Sequence, residues 1–297
     1  MEPMQDTDLN DLIRAEGLPD GFRDLAARLY GTLTWRIMSE VQARGRPVLV
    51  GLCGPQGSGK STGALVLRRM LSRRGLRTAI LSIDDLYLTR AERRVLAEQI
   101  HPLLATRGPP GTHDIGLGEA VIGALLAGES LPLPTFDKAA DERRARADWP
   151  WFEGPADVVL FEGWCVGARP QDEADLATPI NTLERDEDPD GTWRRFVNSA
   201  LAAYQPLFAR LDVLVQLRPP SFDVVAGWRR EQEAKLRERT GAGMSDAAID
   251  RFVAHYERLT RDIMEEMPVR ADVVAQLDET RGLVAVSEPG QSPSLWP

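Results

Sequence analysis

The 297-residue chain has little cysteine, little histidine, no excess of positive charge and no long apolar run. Two cysteines, Cys53 and Cys165, cannot make a disulfide framework, so the fold must stand on an ordinary core, and a reducing cytoplasm is the expected setting. The simplest expectation for both thiols is a small buried side chain. Acidic residues outnumber Lys and Arg by 45 to 36, a formal net charge of −9. Such a chain offers no broad basic surface, and nucleic-acid affinity comes largely from neutralised phosphates, so DNA and RNA are not expected partners. A small anion in a local basic pocket is still allowed. No stretch reaches 18 apolar residues, so no membrane span is expected. Met1–Asn10 is acidic and polar and lacks the character of a signal peptide.

What the chain does contain is a core's worth of apolar residues, 43%, enough for one large α/β domain or two small ones. Its most informative string is Gly54-Pro55-Gln56-Gly57-Ser58-Gly59-Lys60-Ser61, which fits the phosphate-loop pattern G-x-x-x-x-G-K-[ST] at every fixed position. At average composition this pattern arises by chance in about one chain in a hundred of this length. The context makes chance less credible still. Val48–Cys53 before it reads as a buried parallel strand, and Leu65, Val66, Met70 and Leu71 after it recur at helical spacing. In such a loop, successive backbone N–H groups and a helix N-terminus surround a phosphate, and glycines let the backbone approach. Residues Gly54 to Thr62 are therefore expected to bind a nucleotide, with Lys60 on the β- and γ-phosphates and Ser61 on Mg²⁺.

Along the chain, Asp6–Arg44 reads as two helices broken near Gly17–Gly21, with Leu25, Leu29, Leu33 and Ile37 as an apolar stripe. Further strands are expected at Arg77–Ile83, Asp157–Glu162, Asp212–Leu217, Ala271–Leu277 and Leu283–Val286. Helices are expected at Arg90–Ile100, Glu119–Ala127, Thr192–Arg210, Ser221–Arg239 and Ser245–Glu265. Leu183–Asp190 reads as an acidic loop and Leu131–Glu153 as irregular. Alternating strands and helices predict a P-loop-type α/β fold, with a doubly wound, mostly parallel sheet and helices on both faces. The expected organisation is a helical segment over 1–47, a main domain over 48–286 and a flexible tail over 287–297. Within the domain, an insertion near 98–153 and a lid near 228–245 would cover the site.

Ligands in such sheets sit at the carboxyl ends of the strands. Asp84 and Asp85 follow the second strand, where a carboxylate can hold Mg²⁺ or accept a proton from an attacking hydroxyl. Helix capping would account for one of the pair. Glu162 closes the third strand and matches a metal-associated acid. Arg229, Arg230, Lys235 and Arg237 precede Gly241-Ala242-Gly243, a basic helix that reads either as a hinged lid over phosphates or as a solvated face. His113 and Asp114 lie in a turn, and Lys138, Arg143, Arg144 and Arg146 in the charged insertion, where they would bind an acidic acceptor or lie at the surface.

Several of these strings together resemble a known family. Gly51–Thr62, Ser82-Ile83-Asp84-Asp85-Leu86-Tyr87-Leu88-Thr89, Gly111-Thr112-His113-Asp114, Phe136-Asp137-Lys138 and Phe161-Glu162-Gly163-Trp164 are similar to the D-glycerate 3-kinases of the P-loop type, relatives of pantothenate kinase, uridine kinase and phosphoribulokinase. The resemblance runs from about Val48 to Asp272 and implies an ATP- and Mg²⁺-dependent kinase acting on a small hydroxy acid. It implies Asp84 as the acid that activates the acceptor hydroxyl, with Asp85 beside it, and Ser61, Asp84 and Glu162 as the metal residues. Tyr87, His113, Asp114, Lys138 and Arg143 are the expected acceptor contacts. Where the family carries a Gly-x-Gly-Asp-Arg type string after Asp-Lys, this chain has the shorter, glycine-free Ala139–Arg146. Acceptors of the pantothenate or nucleoside type are alternatives. So is a nucleotide-dependent switch, although the guanine-reading strings Asn-Lys-x-Asp and Thr-Lys-x-Asp are absent.

Overall fold

The computed structural model describes residues 22–240 and 243–288. The helix expected before Gly17, the break at Gly17–Gly21 and most of the expected tail lie outside them. From Phe22 the chain is helical without interruption, as Phe22–Leu25, a π-helical turn at Ala26–Tyr30, and Gly31–Arg44. Gly45, at φ 60°, closes this helix by donating its N–H to the Val41 carbonyl.

Six strands make the central sheet: β1 (Val48–Cys53), β2 (Thr78–Ser82), β7 (Val158–Gly163), β8 (Val213–Arg218), β9 (Val273–Leu277) and β10 (Leu283–Ser287). Between β2 and β7 lie four two-residue strands, β3 (Leu131–Pro132), β4 (Phe136–Asp137), β5 (Glu142–Arg143) and β6 (Trp151–Phe152), paired as β3–β6 and β4–β5. The sheet order is β10-β9-β8-β1-β7-β2, with only the β9–β10 pair antiparallel. Alternate side chains of β1 and β7 enter two separate cores. Val48, Val50, Leu52, Val158 and Leu160 join the N-terminal helix, with its Leu25, Leu29, Leu33 and Ile37, and the helix Lys60–Arg73. Leu49, Cys53, Val159 and Phe161 face the helices Ile115–Leu126 and Asp246–Glu266. A strand buried on both faces reads as a continuous apolar run, which is why these strands were legible.

The structure corrects four expected elements. The helix Ile115–Leu126 starts ahead of Glu119 because the Asp114 carboxylate caps it, accepting the Leu117 N–H at 3.0 Å. Thr182–Glu187 is a helix within the expected acidic loop; Asn181 caps it, and Arg258 neutralises its buried Glu184 at 2.6 Å. The helix expected over Thr192–Arg210 stops at Ala202, and Gln205–Phe208, with Pro206 in its first turn, forms a separate short helix. The passage Leu131–Glu153 holds the two small ribbons; strands of two residues leave no readable period.

Candidate active site

Parallel register sets the site. Glu162 of β7 pairs with Leu52 of β1 on one side and with Ser82 of β2 on the other. The phosphate loop, Glu162 and the Asp84-Asp85 turn therefore leave the sheet side by side. Gly54 extends the ladder by one bond, its N–H donating to the Gly163 carbonyl at 3.3 Å. The loop then turns through Gly57 (φ 78°) and Gly59 (φ 86°), and Gly59 leads directly into the helix Lys60–Arg73. Only glycine adopts that left-handed backbone without strain. At Gly57 space matters as well, since a Cβ there would lie 2.5 Å from the Cβ of Trp228. Gln56 Oε1 and Ser58 Oγ are buried and have no hydrogen-bond partner.

The Ser61 hydroxyl donates to Glu162 Oε1 at 2.8 Å. Glu162 is buried, and its Oε2 has no partner. Two converging hard oxygens, one from a carboxylate with an unsatisfied lone pair, fit a Mg²⁺ ion. Among the described residues no cluster of three or more His, Cys, Asp or Glu forms a complete cage. A Mg²⁺ held here would take its remaining ligands from nucleotide phosphates and water, as is usual for that ion.

Asp84 and Asp85 lie in the 3₁₀ turn Ile83–Leu86, where the Ser82 hydroxyl accepts the Asp84 N–H at 3.3 Å. Their environments differ. Burial alone would raise the Asp84 pKa, but the Lys138 and Lys60 charges outweigh it and hold the carboxyl well below the usual range. Asp84 Oδ2 accepts from Lys138 Nζ at 2.7 Å, and Oδ1 accepts from the Tyr87 hydroxyl at 2.6 Å. Burial pushes Asp85 up to about 6, against the Phe136 N–H that donates to its Oδ1 at 2.9 Å.

Tyr87 stacks on His113 with ring centroids 4.9 Å apart, and the two residues form a β-bridge. Burial lowers the His113 pKa to about 4, so the ring is neutral near pH 7. The Tyr204 hydroxyl accepts the Gly111 N–H at 2.9 Å and lies 2.8 Å from His113 Nδ1. His113 Nε2 is buried and has no partner. Sequence reasoning missed Tyr204, because nothing in its local pattern points to a histidine 91 residues away.

Arg143 donates to Asp114 Oδ2 at 3.2 Å and to the Tyr87 carbonyl at 2.9 Å, tying the β4–β5 ribbon to the turn that carries His113. Arg93 and Arg107 were also missed. Both bond to Asp141, a non-glycine residue at φ 54°, and both guanidinium groups lie over the Phe136 ring. They hold the ribbon from which Lys138 projects. Arg144 and Arg146 are exposed. The lid expected near 228–245 covers most of the helix Asp223–Thr240, which packs on Asp246–Glu266 as a hairpin. Three of its expected cations find partners on the hairpin itself or in its turn. Arg229 pairs with Glu233 at 3.0 Å, Arg230 with Asp250, and Arg237 donates to the Met244 carbonyl at 2.6 Å. The Lys235 side chain lies outside the described residues.

With this geometry in hand, comparison with known proteins is informative. The chain is 38% identical over 221 residues to an uncharacterized kinase, mug58, of Schizosaccharomyces pombe, an alignment covering 71% of this chain and 79% of that protein. The chain belongs to the P-loop kinase family. Within the family it is 34% identical over 224 residues to the chloroplastic D-glycerate 3-kinase of Arabidopsis thaliana, covering 71% of this chain and 46% of that longer protein. A solved D-glycerate 3-kinase from Cryptococcus neoformans superposes with a TM-score of 0.74 at 25% identity, over 88% of this P-loop kinase and 99% of that chain. No family model matches the chain.

Proposed function

We propose that this P-loop kinase transfers the γ-phosphoryl of MgATP to a hydroxyl of D-glycerate, giving 3-phosphoglycerate. The observation that carries the reading is the Lys138–Asp84–Tyr87 cluster beside the phosphate loop, with the unpartnered His113 Nε2 close by. An ionised carboxylate there accepts a hydrogen bond from the acceptor hydroxyl, and neighbouring cationic and N–H donors suit a small carboxylate. The relatives named D-glycerate 3-kinase support this acceptor.

In this reading the loop N–H groups and Lys60 hold the β- and γ-phosphates. Ser61 and Glu162 would hold Mg²⁺, with Asp84 in the same group, and a bound ion would supply positive charge to the transferring phosphoryl. Asp84 orients the acceptor hydroxyl in line with the γ-phosphorus. A carboxylate held this far below neutrality is a weak base, yet loose phosphoryl transfer asks mainly for position and charge stabilisation. Lys138 keeps Asp84 ionised. Asp85, with its pKa near 6, is the stronger base of the pair, but its Oδ1 is engaged by Phe136. Lys138, Arg143, His113, Asp114 and Tyr87 frame the acceptor, and the Arg229–Arg237 helix closes over the phosphates when its internal pairs exchange for them.

The test is ADP release from MgATP with and without D-glycerate, beside pantothenate and uridine. Stimulation by D-glycerate alone is the expected result. Stimulation by another compound moves the acceptor and keeps the chemistry. ATP binding with slow hydrolysis that no acceptor alters would sink the kinase reading in favour of a switch.

A further inference from the structure

The turn between β9 and β10 has no part in the chemistry above, yet it touches the phosphate loop. Asp278 braces the turn, its Oδ1 accepting from the Thr280 N–H at 2.8 Å and the Gly282 N–H at 2.7 Å. Arg281, the next residue after Thr280, is held at φ 71°, a backbone conformation unusual for a long side chain. From there its Nε donates to the Gly57 carbonyl at 2.6 Å, and its Nη2 donates to Glu231 of the lid helix at 2.6 Å. The guanidinium lies over the Trp228 ring, 5.1 Å from its centre. Trp228 in turn donates its indole N–H to the Glu279 carbonyl of the same turn at 2.6 Å and packs on Gly57. Three segments distant in sequence thus meet at one arginine.

A phosphate loop works only if its N–H groups point inward, which requires its carbonyls to point away. We propose that Arg281 is a positioning residue for the nucleotide: it holds the Gly57 carbonyl outward, fixing the loop in its anion-receptive turn, and joins the loop to the root of the lid helix through Glu231 and Trp228. Arg281 touches no reacting atom in this scheme. A charge-assisted hydrogen bond to an otherwise unpaired carbonyl is among the stronger polar contacts, and the forked guanidinium serves two partners at fixed angles. A lysine would supply charge without the fork.

The inference rests on the nucleotide-binding reading above, so wild-type protein is measured first, by calorimetric titration with MgATP and with MgADP. Absence of wild-type binding would overturn that reading and, with it, this role for Arg281. Given wild-type binding, Arg281→Ala is expected to weaken MgADP affinity and raise the ATP KM by about 10-fold, while kcat at saturating ATP and the acceptor KM stay within about 2-fold. Arg281→Lys should resemble Arg281→Ala, with a defect that persists at low salt. Glu231→Ala, which leaves the Gly57 contact intact, should shift the ATP KM by only about 2- to 3-fold. Wild-type affinity in Arg281→Lys would overturn the proposal by showing that charge alone suffices. So would a loss in Arg281→Ala spread equally over kcat, both KM values and melting temperature. If Arg281→Ala fails to fold, Arg281→Lys and Glu231→Ala still decide the matter.

Discussion

In the proposed reading, the nucleotide and acceptor halves of the site are made from different material. The nucleotide half is almost all local backbone: nine consecutive residues, Gly54 to Thr62, with two left-handed glycines and a helix start. The acceptor half is assembled from side chains far apart in the chain. Lys138 reaches Asp84 across 54 residues, Arg93 reaches Asp141 across 48, and Tyr204 reaches His113 across 91. A contiguous loop can be recognised from its spacing alone, whereas a cluster knitted by long-range contacts leaves only scattered polar residues to read. In that reading, donor chemistry is written in the chain locally and acceptor choice is written in the fold.

This contrast can be broken most sharply at Lys60. Lys60→Ala should lower kcat by about 10³-fold or more with melting temperature unchanged, since the residue serves charge and not packing; unchanged turnover would remove the loop from the mechanism. Asp84→Asn should lower kcat by about 10²-fold and weaken ATP affinity far less. Weakened ATP binding with intact kcat would instead make Asp84 purely a metal residue. On the acceptor side, Tyr204→Phe removes the hydroxyl partner of His113 Nδ1. It should raise the acceptor KM by about 10-fold and leave the ATP KM unmoved. A shift in both would mean that the two halves are not separable.

The smallest effect concerns stability. Burial lifts Asp85 to about 6, above its unfolded value, so the unfolded chain binds fewer protons between about pH 4 and 6 and stability falls as pH rises through that window. Asp85→Asn should therefore stabilise the protein at pH 7, by at most about 3 kcal/mol, and the gain should vanish below pH 4. Chemical denaturation at the two pH values measures it. An equal effect at both would show that Asp85 is not the buried titrating group.

How much was legible follows the same division. The six main strands fell within about two residues of their expected bounds, most plainly β1 and β7, where double-sided burial demands apolar runs. The helix Thr182–Glu187 was hidden because Glu184 looks like surface charge until Arg258, 74 residues on, neutralises it. Asp114, read as an acceptor contact, also caps a helix and pairs with Arg143, two duties that no spacing advertises. Arg93 and Arg107 were passed over because nothing in their local pattern points to Asp141 or to the Phe136 ring, which both of them meet.

The pairing of Glu162 with Leu52 on one side and Ser82 on the other has a metrical consequence. Neighbouring strands stand about 4.8 Å apart, so the phosphate loop, Glu162 and the Asp84-Asp85 turn are laid out on a ruler whose marks are the strands themselves, about 10 Å from end to end. Loops can change what surrounds either end, but none can alter that gauge without breaking backbone ladders in the middle of the sheet. Under the proposed reading, the passage between β2 and β7 could be rewritten to suit another acceptor while that gauge stays the same.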